Sequence, residues 1–153
     1  MRKQRLSLYQ ISQTISMRLE EKNIPFQIHS NRKEWIIVVD KANNFLCRIE
    51  KLEISVSHLQ GCRIFNLDEG IKRDRKTLQA VLDHLFLIIE HKLVQEEIYK
   101  FGKLCASRQY VLVDGKKVSC SKMWIVHKLY FLPIGKREQK IIEYVYRKKE
   151  ESE

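Results

Sequence analysis

The feature that most constrains the fold is a series of short β-rich segments with very short connections between residues 26 and 65. These segments are 26–29, 35–39, 45–49, 54–57 and 62–65. Turn-forming residues separate them, as in Asn31-Arg32-Lys33 and around Gly61. Parallel strands need a crossover of a dozen or more residues, and no connection here is that long. The sequence therefore predicts an antiparallel β-meander.

A helix with a marked start precedes the meander. Ser7 and Gln10 have the spacing of a capping box, in which each side chain satisfies a backbone N–H of the first turn. Apolar residues then recur at intervals of three and four, namely Leu8, Ile11, Ile15 and Leu19. Asn23 and Pro25 favour an end near Lys22. We predict a helix from Ser7 to about Lys22.

Helical periodicity returns after residue 74. Leu78, Leu82, Leu85 and Ile89 form an apolar stripe, which Phe86 and its neighbours widen almost all round the helix. A helix that is apolar on most faces is a buried one. We predict one long buried helix over residues 75–104.

The C-terminal part reads as two β-hairpins. Asp114-Gly115 lies between the β-rich runs 110–113 and 118–121 and is a strong signal for a two-residue hairpin turn. A second pair of runs, 124–132 and 140–148, is separated by a basic loop at 133–137. The predicted fold class is therefore α+β, with an N-terminal helix, a meander, a long buried helix and C-terminal hairpins.

The bulk properties indicate a single α+β domain over residues 1–153, with a possible subdomain border near 106–107. A chain of 153 residues with 44% hydrophobic residues can bury a core of its own. No apolar run reaches the roughly 18 residues that a membrane span needs, and no apolar region follows the basic N-terminus. The four cysteines lack zinc-site spacing and are expected to be buried, reduced thiols. We therefore expect a cytoplasmic protein with no membrane partner.

Positive charge is concentrated near the C-terminus. Residues 103–149 contain twelve Lys and Arg against three acids, an excess of nine positive charges within a net charge of +10. Aromatic residues are interleaved with these cations. Such a composition attracts polyanions by charge and offers rings on which bases can stack. The segment therefore predicts a surface for nucleic acid, either DNA or RNA.

Strand alternation selects the candidate binding residues. If Tyr130 pairs with Ile142, one face of the last hairpin carries Trp124, Lys128 and several tyrosines, and the loop at 133–137 adds cations. The predicted nucleic-acid-binding residues are Lys116, Lys117, Trp124, Lys128, Lys136, Arg137, Lys140, Tyr144, Tyr146, Arg147 and Lys148. The competing interpretation is that Trp124 and the tyrosines are core residues with hydroxyls at the rim.

Other chemistries have weaker support. The sequence has no phosphate-binding glycine loop, dinucleotide motif, serine-hydrolase elbow or zinc-protease motif. His84 and His91 share a helix face but lie about 10 Å apart, too far to ligate one metal ion. A magnesium-dependent nuclease would need carboxylates such as Asp40 and Glu50 close together, with Lys51 nearby.

The favoured expectation is a non-catalytic nucleic-acid-binding protein that uses the basic, aromatic C-terminal surface. We expect no catalytic residue, no metal and no cofactor. An alternative is a protein–protein interaction module, such as an inhibitor, adaptor or chaperone, that binds an acidic partner surface. A small magnesium-dependent nuclease is the third possibility.

Overall fold

The computed structural model describes residues 5–67, 70–121 and 123–147. Over these residues the chain forms two α-helices and two antiparallel sheets, which confirms the predicted α+β class. It divides into a first compact unit, built on residues up to Phe86, and a second unit from Leu87 to Tyr146. Residues 106–107, where we expected a possible border, lie within a strand of the second unit. The single domain over residues 1–153 stays a prediction.

The first unit contains the predicted helix and meander. Helix α1 covers Leu8–Glu21. The strands are β1 (Gln27–Ser30), β2 (Glu34–Asp40), β3 (Phe45–Glu50), β4 (Glu53–His58) and β5 (Gly61–Asn66). They pair in sequence order, each antiparallel to the next. The meander is therefore confirmed.

The start of α1 has the predicted capping geometry. The backbone N–H of Gln10 donates to Oγ of Ser7 at 3.1 Å, and the backbone N–H of Ser7 donates to Oε1 of Gln10 at 2.9 Å. Ile11, Ile15 and Leu19 are buried on one side of the helix. The capping box therefore sets the start, and the apolar stripe sets which side packs inward.

The core of the first unit follows the alternation of the strands. Ile37, Cys47 and Val56 lie opposite one another on three neighbouring strands, and all three are fully buried. Ile49 and Ile54 form the next buried pair. Helix α1 contacts β2 and β3, which form part of this layer.

The predicted long helix is wrong in its second half. Helix α2 covers Ile71–Glu90, and the chain then forms β6 (Lys92–Lys100) and β7 (Lys103–Val113), which pair as an antiparallel hairpin. Both residues of the Phe101-Gly102 turn have positive φ, at 52° and 73°. Neighbouring strands satisfy the backbone of β6 on both sides, and this tertiary pairing outweighs its local helical pattern.

The second unit continues with β8 (Lys116–Ser119), β9 (Trp124–Ile125), a 3₁₀ turn (Lys128–Phe131) and β10 (Glu138–Tyr144). The strand order is β10-β6-β7-β8, with β9 also paired to β7. The hairpin turn at Asp114-Gly115 is confirmed, since both residues have positive φ.

The second predicted hairpin is wrong. Trp124 pairs with Ser107 on β7, and Ile142 pairs with Gln95 on β6 rather than with Tyr130. The long β6–β7 hairpin offers two edges, and each of the two C-terminal segments pairs with a different one. Strand β10 forms seven residue pairs with β6. Pairing with β9, which has only two residues, would give β10 a much shorter ladder. In the described residues, neither α-helix is long and apolar enough to cross a membrane.

Candidate nucleic-acid interface

The candidate interface centres on residues 123–137, which run past the turn of the β6–β7 hairpin. The backbone N–H groups of Val126 and His127 donate to the carbonyl oxygen of Cys105 at 2.7 and 3.1 Å. The ammonium group of Lys100 donates to the carbonyl oxygens of Tyr130, at 3.4 Å, and Leu132. Lys100 is only 2% exposed. A buried cation therefore ties this segment to the end of the sheet.

Large apolar side chains on this segment face solvent. Trp124 is 59% exposed, Phe131 70% and Ile134 66%. Every residue from 131 to 140 is exposed. Single exposed apolar residues are ordinary, but several on one anchored segment are typical of a binding surface.

Phe101 extends this surface from the neighbouring turn. It is 63% exposed and adopts a left-handed backbone with φ of 52°, which a bulky residue rarely occupies. A Cβ atom added to Gly135 would lie 2.7 Å from the Cζ of Phe101, so the ring lies directly against Gly135. The strained turn and the 123–137 segment therefore meet at this contact.

Cations flank the exposed aromatic side chains. The guanidinium of Arg137 lies 4.9 Å from the centre of the Tyr130 ring, a cation–π contact. Lys128 and Lys136 are exposed and form no ion pair with any residue in the described part of the chain. Their charges are thus available to a polyanion.

Trp124 and Lys140 lie on one face of the sheet, at opposite ends of a row across four strands. The row runs from Trp124 through Ser107 and Glu97 to Lys140. Three strand spacings separate its ends by about 14 Å. Glu97 is buried and accepts a hydrogen bond from the Tyr99 hydroxyl at 3.0 Å. Burial, together with this bond and the charge of Glu97, raises the pKa of Tyr99.

A second charged group lies on β6, β7 and β8. Glu96 is 3% exposed, and its carboxylate accepts hydrogen bonds from Nε of Arg108 and from the Tyr110 hydroxyl, the latter at 3.0 Å. The ammonium of Lys117 lies 3.8 Å from Glu96 Oε1. Burial alone would raise the pKa of Glu96, but the Arg108 and Tyr110 hydrogen bonds and the two positive charges lower it. Burial and the bond to Glu96 raise the pKa of Tyr110.

The structure brings only some of the predicted residues together. Lys128, Lys136 and Arg137 share the 123–137 segment with Trp124, and Lys140 lies on β10. Lys116 and Lys117 are exposed at the start of β8.

The predicted residues near the C-terminus are placed differently. Tyr144 is only 6% exposed, opposite Leu93, so its ring is part of the core in this structure. Tyr146 is half-buried and Arg147 is exposed. Lys148 lies outside the described residues.

Sequence reasoning missed Lys100, Phe101, Arg108 and Phe131. The Phe101-Gly102 pair between two alternating runs was a usable signal for a turn, but the helical interpretation of residues 75–104 concealed it. The roles of Lys100 and Arg108 depend on contacts with residues distant in the sequence.

Carboxylates proposed for a nuclease do not gather in the described part of the chain. No group of three or more His, Cys, Asp or Glu residues there could hold a metal ion. Asp40 accepts a hydrogen bond from Nδ2 of Asn43 at 2.9 Å, and Glu50 lies opposite Glu34 on the neighbouring strand.

Comparisons of the chain with protein-family models, with curated proteins and with solved structures give no match. The observations that bear on function are therefore the fold and the exposed basic, aromatic surface of the second unit.

Proposed function

We propose that the protein binds single-stranded nucleic acid through the surface formed by Phe101 and residues 123–137. The observation that carries this proposal is the exposure of Trp124, Phe131 and Phe101 on anchored backbone. Trp124 is paired with β7, Lys100 bonds to the carbonyl oxygens on either side of Phe131, and the Phe101 ring lies against Gly135. Unpaired bases stack on such rings, whereas the bases of a duplex are already stacked on each other.

Charge supports the same ligand. Lys128, Lys136 and Arg137 lie on the same segment as the exposed aromatic residues. Cations there would attract the phosphate backbone, and the rings would receive the bases. Binding of this kind follows the backbone and depends little on base sequence.

A fluorescence anisotropy titration tests the proposal, with labelled single-stranded DNA and RNA oligonucleotides at several salt concentrations. Trp124→Ala and Phe131→Ala should each weaken binding by about 5- to 150-fold, the effect of losing one stacked base. Lys136→Ala with Arg137→Ala should make the salt dependence shallower.

Tyr9→Ala is the matched control, because Tyr9 is an aromatic residue on α1 of the first unit with an exposure of 56%, close to that of Trp124. It should leave the affinity unchanged. Absence of oligonucleotide binding by the wild-type protein at low salt would overturn the proposal.

A protein partner is the second candidate, favoured by the exposed aliphatic residues of the same segment. Val126 is 52% and Leu132 41% exposed, beside Ile134. Aliphatic side chains suit a protein surface better than a nucleic acid. If oligonucleotides fail to bind, a protein ligand with an acidic rim and an apolar centre becomes the preferred interpretation.

A further inference from the structure

The buried carboxylate of Glu96 contacts two exposed cations, Arg108 and Lys117. Arg108 lies directly opposite Glu96 on the neighbouring strand and donates to it through Nε. Its two terminal nitrogens make no hydrogen bond to any residue in the described part of the chain. The Arg108 side chain is 46% exposed. The outer edge of its guanidinium therefore remains able to donate to a ligand.

Lys117 lies close to Glu96 but donates no hydrogen bond to it. At 3.8 Å from Oε1, the ammonium is within ion-pair range but too distant for a hydrogen bond. It also lies 4.6 Å from the centre of the Tyr110 ring. Since the Tyr110 hydroxyl bonds to Glu96, one carboxylate positions both the ring and the guanidinium.

The charges of the group suit an anion with a single negative charge. One carboxylate and two cations leave one positive charge in excess, and Glu96 itself is shielded from solvent. A phosphodiester carries one negative charge and accepts hydrogen bonds from Arg and Lys.

Glu96 and Glu97 are consecutive on β6, so this group lies on the face of the sheet opposite Trp124 and Lys140, and a strand that contacts both faces passes over the edge formed by β8 and β9. We propose that Arg108 and Lys117 together clamp one backbone phosphate where the bound strand reaches this second face, with Glu96 as the residue that positions them. This inference rests on the proposed function.

A simpler role for the two cations is neutralisation of the buried carboxylate, with no ligand involved. The two roles differ in what salt-dependent binding reports. For single strands, each phosphate contact contributes about 0.7 to the slope of log affinity against log salt concentration. If both cations clamp one phosphate, removing either cation or both should reduce the slope by this single contribution.

The experiment compares the salt slopes of Arg108→Gln, Lys117→Gln and the double variant with that of the wild type. We expect each variant, including the double one, to reduce the slope by about 0.7. Additive losses in the double variant would show two separate contacts and overturn the shared clamp. Unchanged slopes would show that the cations only neutralise Glu96. Lys33→Gln, an exposed cation of the first unit, is the control and should change nothing.

Glu96→Gln tests the positioning role with an outcome of opposite sign. Removal of a negative charge should strengthen binding if overall charge decides the affinity. The clamp predicts weaker binding, because both cations lose their anchor. Circular dichroism establishes whether this variant folds, and Tyr110→Phe removes one anchoring hydrogen bond more gently if it does not. Stronger binding by a folded Glu96→Gln variant would overturn the positioning role.

Failure of the clamp and failure of the proposed function can be told apart. If the wild-type protein binds oligonucleotides and the slopes are unchanged, only the clamp fails. If it binds none, the proposed function fails, and an NMR titration with inorganic phosphate decides the clamp. Shifts of the Arg108 and Lys117 signals would then support a small phosphorylated ligand, and no shifts would overturn the site.

Discussion

Nε2 of His58 lies 3.1 Å from Nε2 of His84, and both imidazoles are buried in the first unit. One ring must donate its proton to the other, so the pair forms a hydrogen bond while at least one ring is neutral. Phe65 packs against His84, and the guanidinium of Arg63 lies over the Phe65 ring. The local environment therefore disfavours a second positive charge.

The histidine pair predicts that acid destabilises the first unit. Burial, then the charges of His58 and Arg63, lowers the pKa of His84 from 6.5 to about 3. Because the unfolded chain binds this proton more readily, stability falls as the pH drops from about 6.5 toward 3. The loss at pH 5 relative to pH 7 should be about 2 kcal/mol. Urea unfolding at several pH values measures it.

His84→Gln is the control for this acid effect, since its amide can bond to His58 but does not titrate. The difference between wild type and variant isolates the contribution of His84 from that of the carboxylates. If the difference in the free energy of unfolding between wild type and His84→Gln were the same at pH 7 and pH 4, the prediction would be contradicted.

Phe101→Asn should both stabilise the fold and weaken oligonucleotide binding. Asn is favoured in the left-handed position of a two-residue hairpin turn, where Phe is strained, so we expect a gain of roughly 1 kcal/mol in the free energy of unfolding. The loss of the exposed ring should lower oligonucleotide affinity. Thermal unfolding and anisotropy measure the two effects. Asp114→Asn, at the corresponding position of the β7–β8 turn, should change stability by only a few tenths of a kcal/mol.

Lys100→Met should loosen residues 123–137. Methionine is similar in length but cannot donate to the carbonyl oxygens of Tyr130 and Leu132. Loss of these two charge-assisted hydrogen bonds, about 1.5 kcal/mol or more in total, should speed trypsin cleavage after Lys128 or Arg137 at least tenfold. Lys103 lies opposite Lys100 in the hairpin and is exposed, so Lys103→Met is the control and should not change the cleavage rate. Equal rates in the two variants would show that the buried ammonium does not hold the segment.

Thiol reactivity should separate Cys62 from the other cysteines. Cys47, Cys105 and Cys120 are buried as expected, but the expectation is wrong for Cys62, which is exposed on β5. Burial raises the pKa of the Cys47 thiol to about 12, so its reactive thiolate is scarce at pH 8. A disulfide reagent should modify one thiol of the native protein and all four after denaturation. Cys62→Ser should abolish the native reaction, and a persistent signal would show that a buried cysteine becomes accessible.

Three expectations based on neighbouring residues agree with the structure. The capping box at Ser7 and Gln10, the succession of short connections in the meander and the Asp114-Gly115 turn depend on contacts within a few residues. Their free energies are local, so the sequence alone determines them. The concentration of charge in the C-terminal third is likewise a property of composition.

Tertiary structure decided which segments pair and which side chains are exposed. Residues 92–100 have an apolar pattern compatible with helix or strand, and pairing with both β7 and β10 selected the strand. The same pairing buried Tyr144 beside β6 and left Phe131 exposed. His58 and His84, or Glu96 and Lys117, meet only because long-range strand and helix packing brings them together. Local signals carry no information about such partners, since the free energy that selects them appears only when the sheets form.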